Sequence, residues 1–213
     1  MNFGVLIQKF KNKYKSESKV VGVGARIMYK DRYIFTLAKK DYWKKRKKNL
    51  LIDYSAVGGR VEEDETILNA IHREAKEEIN CDISLISAKS TIYLNPEGEI
   101  KKIELKEKIK PLLIFEKNYP GKPGFPDAEG QWYLFAPVFI AEPLDIPKPS
   151  SEVPAIICLN KDLFFKIPKI ILIQEFIDLG GILIEVINIP RDAYLVPTFA
   201  AEILMDIILN ESQ

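Results

Sequence analysis

The feature that most constrains this chain is the stretch GGRVEEDETILNAIHREAKEEINC, Gly58 to Cys81. After a glycine pair and an acidic turn, the run from Thr66 to Ile79 places Leu68, Ile71, Ala75 and Ile79 on one apolar stripe at about 100° per residue. The spacing predicts a helix, with Thr66 or Asp64 positioned to cap its start. Glu74, Glu77 and Glu78 then share one arc of about 100°, beside the apolar stripe and overlapping its edge at Glu78. Like charges so close repel one another. A carboxylate projecting between Ile67 and Ile71 is costly unless something positive meets it. Hard divalent cations take oxygen ligands, and Mg²⁺ is held by a few carboxylates together with waters and substrate phosphates. Gly58 and Gly59 let the backbone turn tightly and leave a carbonyl open to the same ion.

Composition narrows the remaining classes. The chain has 213 residues, 47% of them apolar, enough for one good core and an appendage. Thirty-one Lys and Arg nearly cancel thirty Asp and Glu, so any electrostatic function is local and bulk charge points to no nucleic-acid coat. Two cysteines, Cys81 and Cys158, are too few for a Cys-built zinc site and suggest no disulfide scaffold. A reducing, cytoplasmic setting is the expectation. The N-terminal MNFGVLIQKFKNKYK has too short an apolar run for a signal peptide. The greasiest segment, IPKIILIQEFIDLGGILIEVINI, is interrupted by Gln174, Glu175, Asp178 and Glu185, and no membrane association is expected.

Along the chain, KVVGVGARIMYKDRYIFTLAKK reads as a hairpin turning at Lys30 to Arg32. Seven Lys or Arg between Lys39 and Lys48 read as a solvated loop, and LLIDYSAVGG as a strand ending in glycines. Strands are expected at DISLISAKSTIYL, KPLLIFEK and QWYLFAPVFIA. Eight of the thirteen prolines fall between Pro120 and Pro154, which predicts long loops flanking the last of these strands. The final third reads as short helices around NKDLFFKI and PKIILIQEFIDL, a strand at ILIEVINI and a helix from Pro197 to Leu209.

The spacing Gly59, five residues, Glu65, seven residues, Arg73-Glu74, an aliphatic, one residue and Glu77-Glu78 resembles the Nudix box, G-x5-E-x7-R-E-U-x-E-E-x-G-U. All charged positions match. Asn80 replaces the box glycine, and Ala75 and Cys81 are smaller than the usual aliphatics. The glycine of the pattern ends the helix in a left-handed conformation, and Asn is the next-best residue there. The resemblance implies an α/β fold, a Nudix-type α/β/α sandwich around a mixed β-sheet with a helical C-terminal extension. One domain over 1–213 is expected, its core at about 18–165 and the extension at about 166–213.

It also implies a hydrolase of acid anhydrides that uses Mg²⁺ or Mn²⁺ to cleave a pyrophosphate bond. Its substrate would be a nucleoside diphosphate linked to another moiety, such as ADP-ribose, a dinucleoside polyphosphate or a nucleoside triphosphate. By the same resemblance the Gly58 carbonyl, Glu74, Glu77 and Glu78 hold the metal, with Glu77 or Glu78 helping to deprotonate water. Arg73 pairs with Glu77 and, in the family arrangement, with Glu65, binding loop to helix. A further acidic residue outside the box is expected, Glu152 first and Glu129 second.

Other readings compete. The Lys39–Lys48 run, with Tyr42 and Trp43, could attract polyphosphate or, among nucleic acids, a capped RNA end. Trp132 and Tyr133 read as core strand residues before base-stacking platforms. His72, the sole histidine, reads as structural, since no nucleophile partner accompanies it. The rival functions are a catalytically inactive Nudix domain acting as a nucleotide or RNA sensor or scaffold, and an isomerase on the same fold. The hydrophobic C-terminal segments could equally be core helices or a homodimer interface.

Overall fold

The computed structural model describes residues 2–14, 19–122 and 125–210. Its first half runs α1 (Phe3–Lys13), β1 (Lys19–Tyr29), β2 (Arg32–Leu37), a single 3₁₀ turn (Lys40–Tyr42), β3 (Lys44–Arg46), β4 (Asn49–Ser55), β5 (Val57–Arg60), α2 (Ile67–Ile79) and β6 (Ile83–Ile86). Next come β7 (Thr91–Leu94), β8 (Ile100–Ile103), β9 (Leu113–Lys122), β10 (Phe125–Pro143) and β11 (Ala155–Asn160). The remainder is α3 (Lys161–Lys166), β12 (Ile171–Leu172), α4 (Ile173–Asp178), β13 (Ile182–Glu185), β14 (Tyr194–Pro197) and α5 (Phe199–Asn210). The fold is mixed α/β. The chain forms two compact units, each discontinuous in sequence: Met1–Ala25, Gly58–Ile71 and Leu85–Ala141 in the first, Arg26–Val57, His72–Ser84 and Glu142–Gln213 in the second.

In the first unit, β9 and β10 form a long antiparallel pair, β7 lies parallel to β9, and β8 closes an antiparallel hairpin on β7. Helix α1 covers this apolar surface. Asn2 caps it, its Oδ1 accepting from the Val5 amide at 3.0 Å, and the i, i+4 pair Leu6 and Phe10 is buried with Leu105, Ile114 and Phe135. This helix is not announced by the sequence, because lysines at positions 9, 11 and 13 dilute the apolar spacing. Just past the helix, Tyr14 stacks on Tyr133 with ring centres 3.9 Å apart. Tyr14 also donates to the buried Glu116 carboxylate at 3.1 Å, which Lys13 approaches at 3.3 Å and Tyr93 reaches through its hydroxyl. Burial, then its hydrogen bond to Glu116, push the Tyr93 phenol well above the usual tyrosine range.

In the second unit, the end of β1 turns at Lys30, whose φ of 57° is left-handed, and returns antiparallel as β2. The predicted hairpin is present. β11, AIICLN, carries five buried residues in succession and lies antiparallel to both β2 and β13, the pattern of a strand covered on both faces. β4 pairs antiparallel with β2 and parallel with β14, and β12 lies beside β14. Helix α5 packs on β4, β14 and α3, burying Ala201, Leu204, Met205 and Ile208. Thr198 fixes its start: the Thr198 amide donates to the Tyr54 carbonyl at 2.8 Å, and the Thr198 carbonyl accepts from Glu202 at 2.9 Å.

Three expectations need correction. The basic run is solvated but only partly loop: residues 44–46 form β3, antiparallel to β4 across a turn at Lys47, because a positive φ of 57° at that residue reverses the chain. The proline-rich stretch is largely strand, with β10 running through Pro137 opposite Ile114. Within 166–213 the expected helices and β13 occur, but the short strands β12 and β14 were unread, since two to four residues give too few alternations to register. No described helix is long and apolar enough to cross a membrane.

Candidate active site

Helix α2 begins at Thr66, whose Oγ1 accepts from the Asn69 amide at 3.1 Å while its carbonyl accepts from Ala70 at 2.9 Å. That satisfies amides which the helix itself leaves orphaned. Asp64, the other capping candidate, sits instead in a left-handed turn with φ 63°. The buried stripe is Ile67, Ala70, Ile71, Ala75 and Ile79, with Leu68 only half-buried. The helix stops at Asn80, whose φ of 48° supplies the left-handed residue expected of the box glycine. Cys81 is buried beyond it, its thiol contacting the Asp145 amide at 3.3 Å. His72 is exposed.

The first unit holds Gly58, Gly59 and Glu65. Gly58 has φ 148°, and a Cβ there would lie 2.2 Å from the Val23 carbonyl oxygen and 2.7 Å from Gly24, so only glycine fits against β1. Glu65 Oε2 accepts from the Glu62 amide at 3.1 Å, tightening the acidic turn. This turn lines an open cavity of about 890 Å³ with Lys11, Lys19, Arg60 and Trp132. Trp132 is therefore a half-buried cavity wall, while Tyr133 is spent on Tyr14.

The second unit holds Arg73, Glu74, Glu77, Glu78 and Glu152. Arg73 Nη1 donates to Glu74 Oε1 and to Glu77 Oε2, both at 2.8 Å, so its guanidinium bridges two of the three glutamates. Glu74 is nearly enclosed at 13% side-chain exposure, Glu78 is half-buried and Glu77 is exposed at 46%. Glu152 is brought to the same helical turn by its own loop. Ser150 Oγ donates to the Glu77 carbonyl, the Ser150 amide donates to the Glu78 carbonyl at 3.2 Å, and the Lys148 amide donates to the Ile79 carbonyl at 3.0 Å. The Glu152 amide in turn donates to Ser150 Oγ at 2.9 Å. These bonds occupy the orphan carbonyls at the end of α2.

Glu152 is ion-paired with Lys39. That hydrogen bond first, and then the nearby charges of Glu152, Tyr42 and Glu78, hold the Lys39 ammonium above the usual lysine range against some burial. Lys39 and Ser150 were missed as members of the site. Lys39 was hidden in a basic run, and Ser150 meets a carbonyl 73 residues away that no local pattern announces. Glu129 lies, as to its side chain, outside the described residues.

Among the described residues no three His, Cys, Asp or Glu side chains converge as a ready metal cage. The donor chemistry nonetheless suits a hard cation: the side chains are carboxylates, and those of Glu74, Glu77 and Glu152 already take a cationic partner in Arg73 or Lys39.

The model of the NUDIX domain family matches residues 19–133, more than half of the chain. The chain is a Nudix protein. Family membership makes it a pyrophosphohydrolase by class. Among solved structures, a NUDIX-family hydrolase from Clostridium perfringens is similar at 15% identity and TM-score 0.47, covering 92% of this Nudix protein and 99% of that chain. A MutT protein from Methanosarcina mazei Go1 is similar at 15% identity and TM-score 0.43, over 72% and 85% of the two chains. An ADP-ribose pyrophosphatase from Streptococcus suis is similar at 15% identity and TM-score 0.39, over 67% and 75%. Likeness this distant carries no argument about substrate. No curated protein matches.

Proposed function

We propose that this Nudix protein is a Mg²⁺- or Mn²⁺-dependent hydrolase cleaving the pyrophosphate bond of a nucleoside diphosphate linked to another moiety. The observation that carries the reading is the last turn and a half of α2. Glu74, Glu77 and Glu78 lie there with Arg73 bridging the first two, and a fourth carboxylate, Glu152, is fastened to the backbone of the same turn. Glu74, Glu77 and Glu78 would hold the cation, which when bound neutralises phosphate charge and lowers the pKa of water. Arg73 keeps two of these side chains on one side of the helix and so limits the rotamers they must lose on binding. Glu152, at 50% exposure and paired with Lys39, would be a further carboxylate ligand available to the cation once that pair opens. Neither role requires a rearrangement of the helix.

The test is product release from ADP-ribose, NADH, dinucleoside polyphosphates, nucleoside triphosphates, coenzyme A and a capped RNA, each with Mg²⁺, Mn²⁺ or chelator. Cleavage of one compound that chelator abolishes supports the hydrolase and names its substrate. Nucleotide binding without any cleavage would favour the sensor reading instead. A homodimer is proposed with it, through Ile182, Ile184 and Val186, exposed at alternate positions along and just after β13. A monomer by light scattering at assay concentration would remove that part alone.

A further inference from the structure

Lys39 stands between two segments that the fold fastens independently. On its own side the chain is pinned where β2 ends, by the Ala38 amide donating to the Asp53 carbonyl at 2.8 Å and by Trp43 Nε1 donating to the Ala38 carbonyl at 2.8 Å. Opposite, Ser150 ties the Glu152 loop to the carbonyls of Glu77 and Glu78. Lys39 Nζ meets Glu152 Oε2 across this gap, and Glu78 belongs to its electrostatic surroundings.

We propose that Lys39 is the internal counter-ion of the carboxylate site: without metal its ammonium neutralises Glu152 near the end of α2, and a divalent cation displaces it, freeing it to meet a substrate phosphate. The proposal rests on the reading of these carboxylates given above. Three properties of the pair support an exchange. Lys39 and Glu152 are each about half exposed, at 52% and 50%, and an exposed pair shifts an equilibrium by only about two- to five-fold, so it yields readily to a doubly charged competitor. The ammonium is a compact point charge on a flexible four-carbon stem, able to swing away without moving backbone. Such a charge suits a phosphate oxygen, whereas an arginine would favour a fixed two-pronged carboxylate pair.

An anchored partner makes the exchange useful. Because the Ser150 hydroxyl and amide tie the Glu152 loop to α2, the backbone at Glu152 keeps its place when Lys39 leaves, and the cation inherits a placed carboxylate. Lys39 is thus a neutralising counter-ion before the cation arrives and a phosphate-binding residue afterwards.

The experiment is titration of the substrate-free protein with Mn²⁺, followed by electron paramagnetic resonance, for wild type, Lys39→Met, Glu152→Gln and the double variant, with circular dichroism confirming the fold of each. Lys39→Met should bind Mn²⁺ about two- to five-fold more tightly than wild type. Glu152→Gln should bind it more weakly, and Lys39→Met should add no gain in that background. The same Lys39→Met protein should show a raised KM for its substrate at a kcat changed far less. Equal Mn²⁺ affinity in wild type and Lys39→Met overturns the counter-ion role while leaving the hydrolase reading intact. An equal gain with and without Glu152 also overturns it, since the lysine would then act only through its general field. A wild type that binds no Mn²⁺ removes the carboxylate site itself and the proposal with it.

Discussion

Asn80 carries a φ of 48° at the close of α2, where a side chain with a Cβ is normally strained. Asn tolerates this by local hydrogen bonding, whereas Ala cannot. Asn80→Ala should therefore cost about 1 kcal/mol and Asn80→Gly close to nothing, read as the difference in urea midpoints at constant slope. Equal midpoints for the two variants would show that the helix stop does not depend on this torsion. The glutamates one turn earlier act on chemistry. Glu78→Gln and Glu77→Gln preserve shape and remove ligand charge, so each should lower kcat by roughly a hundred-fold or more with little change in melting temperature. Unchanged turnover in both would sink the metal assignment. These residues were legible in the sequence because the spacing of a helix is local: Gly59, Glu65, Arg73 and the three glutamates are counted along one segment. The Glu116 cluster was not legible, because Lys13, Tyr14 and Tyr93 reach that carboxylate from 103, 102 and 23 residues away.

At the scale of elements, β3 and β4 turn a run of like charge into an exposed ribbon. Lys44 is engaged there with Asp53 at 2.6 Å, which leaves Lys45, Arg46, Lys47 and Lys48 as the ribbon's surface charge. Neutralising those four should raise KM at low ionic strength, and the difference should fade as salt is added, if the ribbon draws in polyphosphate. A KM indifferent to the substitutions at low salt would return it to ordinary surface. The loop after β13 gives a pH-dependent case. Arg191 clasps Glu185 through two nitrogens at 2.7 and 3.0 Å, and the Ile189 amide donates to the same carboxylate at 3.1 Å. The hydrogen bond from Arg191, foremost, holds the Glu185 carboxyl below its ordinary value of 4.5. A group whose folded pKa is depressed stabilises the protein above its unfolded value and loses that contribution as pH falls through the folded one. Wild type should thus be more stable than Glu185→Gln at neutral pH, and the gap should close on acidification below about 4.5, by thermal melts across pH. A gap constant with pH would assign the difference to packing. The long periodic helix and the first hairpin could be read from sequence, whereas β12 and β14 are too short to carry a pattern and exist because neighbours complete them.

Across the whole molecule, the C-terminal third completes a sheet in which β4 already pairs with β2. β14 runs parallel to β4 from Tyr194 against Leu51 to Pro197 against Tyr54, and α5 then packs on β4, with the Tyr54 hydroxyl 3.2 Å from the Met205 sulfur. A protein ending before Tyr194 should lose both the strand and its cover and should elute as aggregate in size exclusion. A monodisperse, folded truncation would show that β4 is self-sufficient. Fold class was readable through the resemblance of the Gly59–Cys81 stretch to the Nudix box, but the partner of each strand was not, since pairing is decided by what the rest of the chain leaves uncovered.

The parallel β4–β14 pairing also orders events during synthesis. Ser55 and Thr198 share a hydrogen bond of 3.0 Å across 143 residues of sequence. At a translation speed of about 5–20 residues per second, one side of β4 therefore emerges from the ribosome many seconds before its partner strand exists. For that interval an apolar strand offers an open row of amides and carbonyls to any nascent neighbour, and yield in a cell will depend on how well chaperones shield it. Slower codons placed after β4 would lengthen the exposure, and a cooler, chaperone-rich host would blunt it.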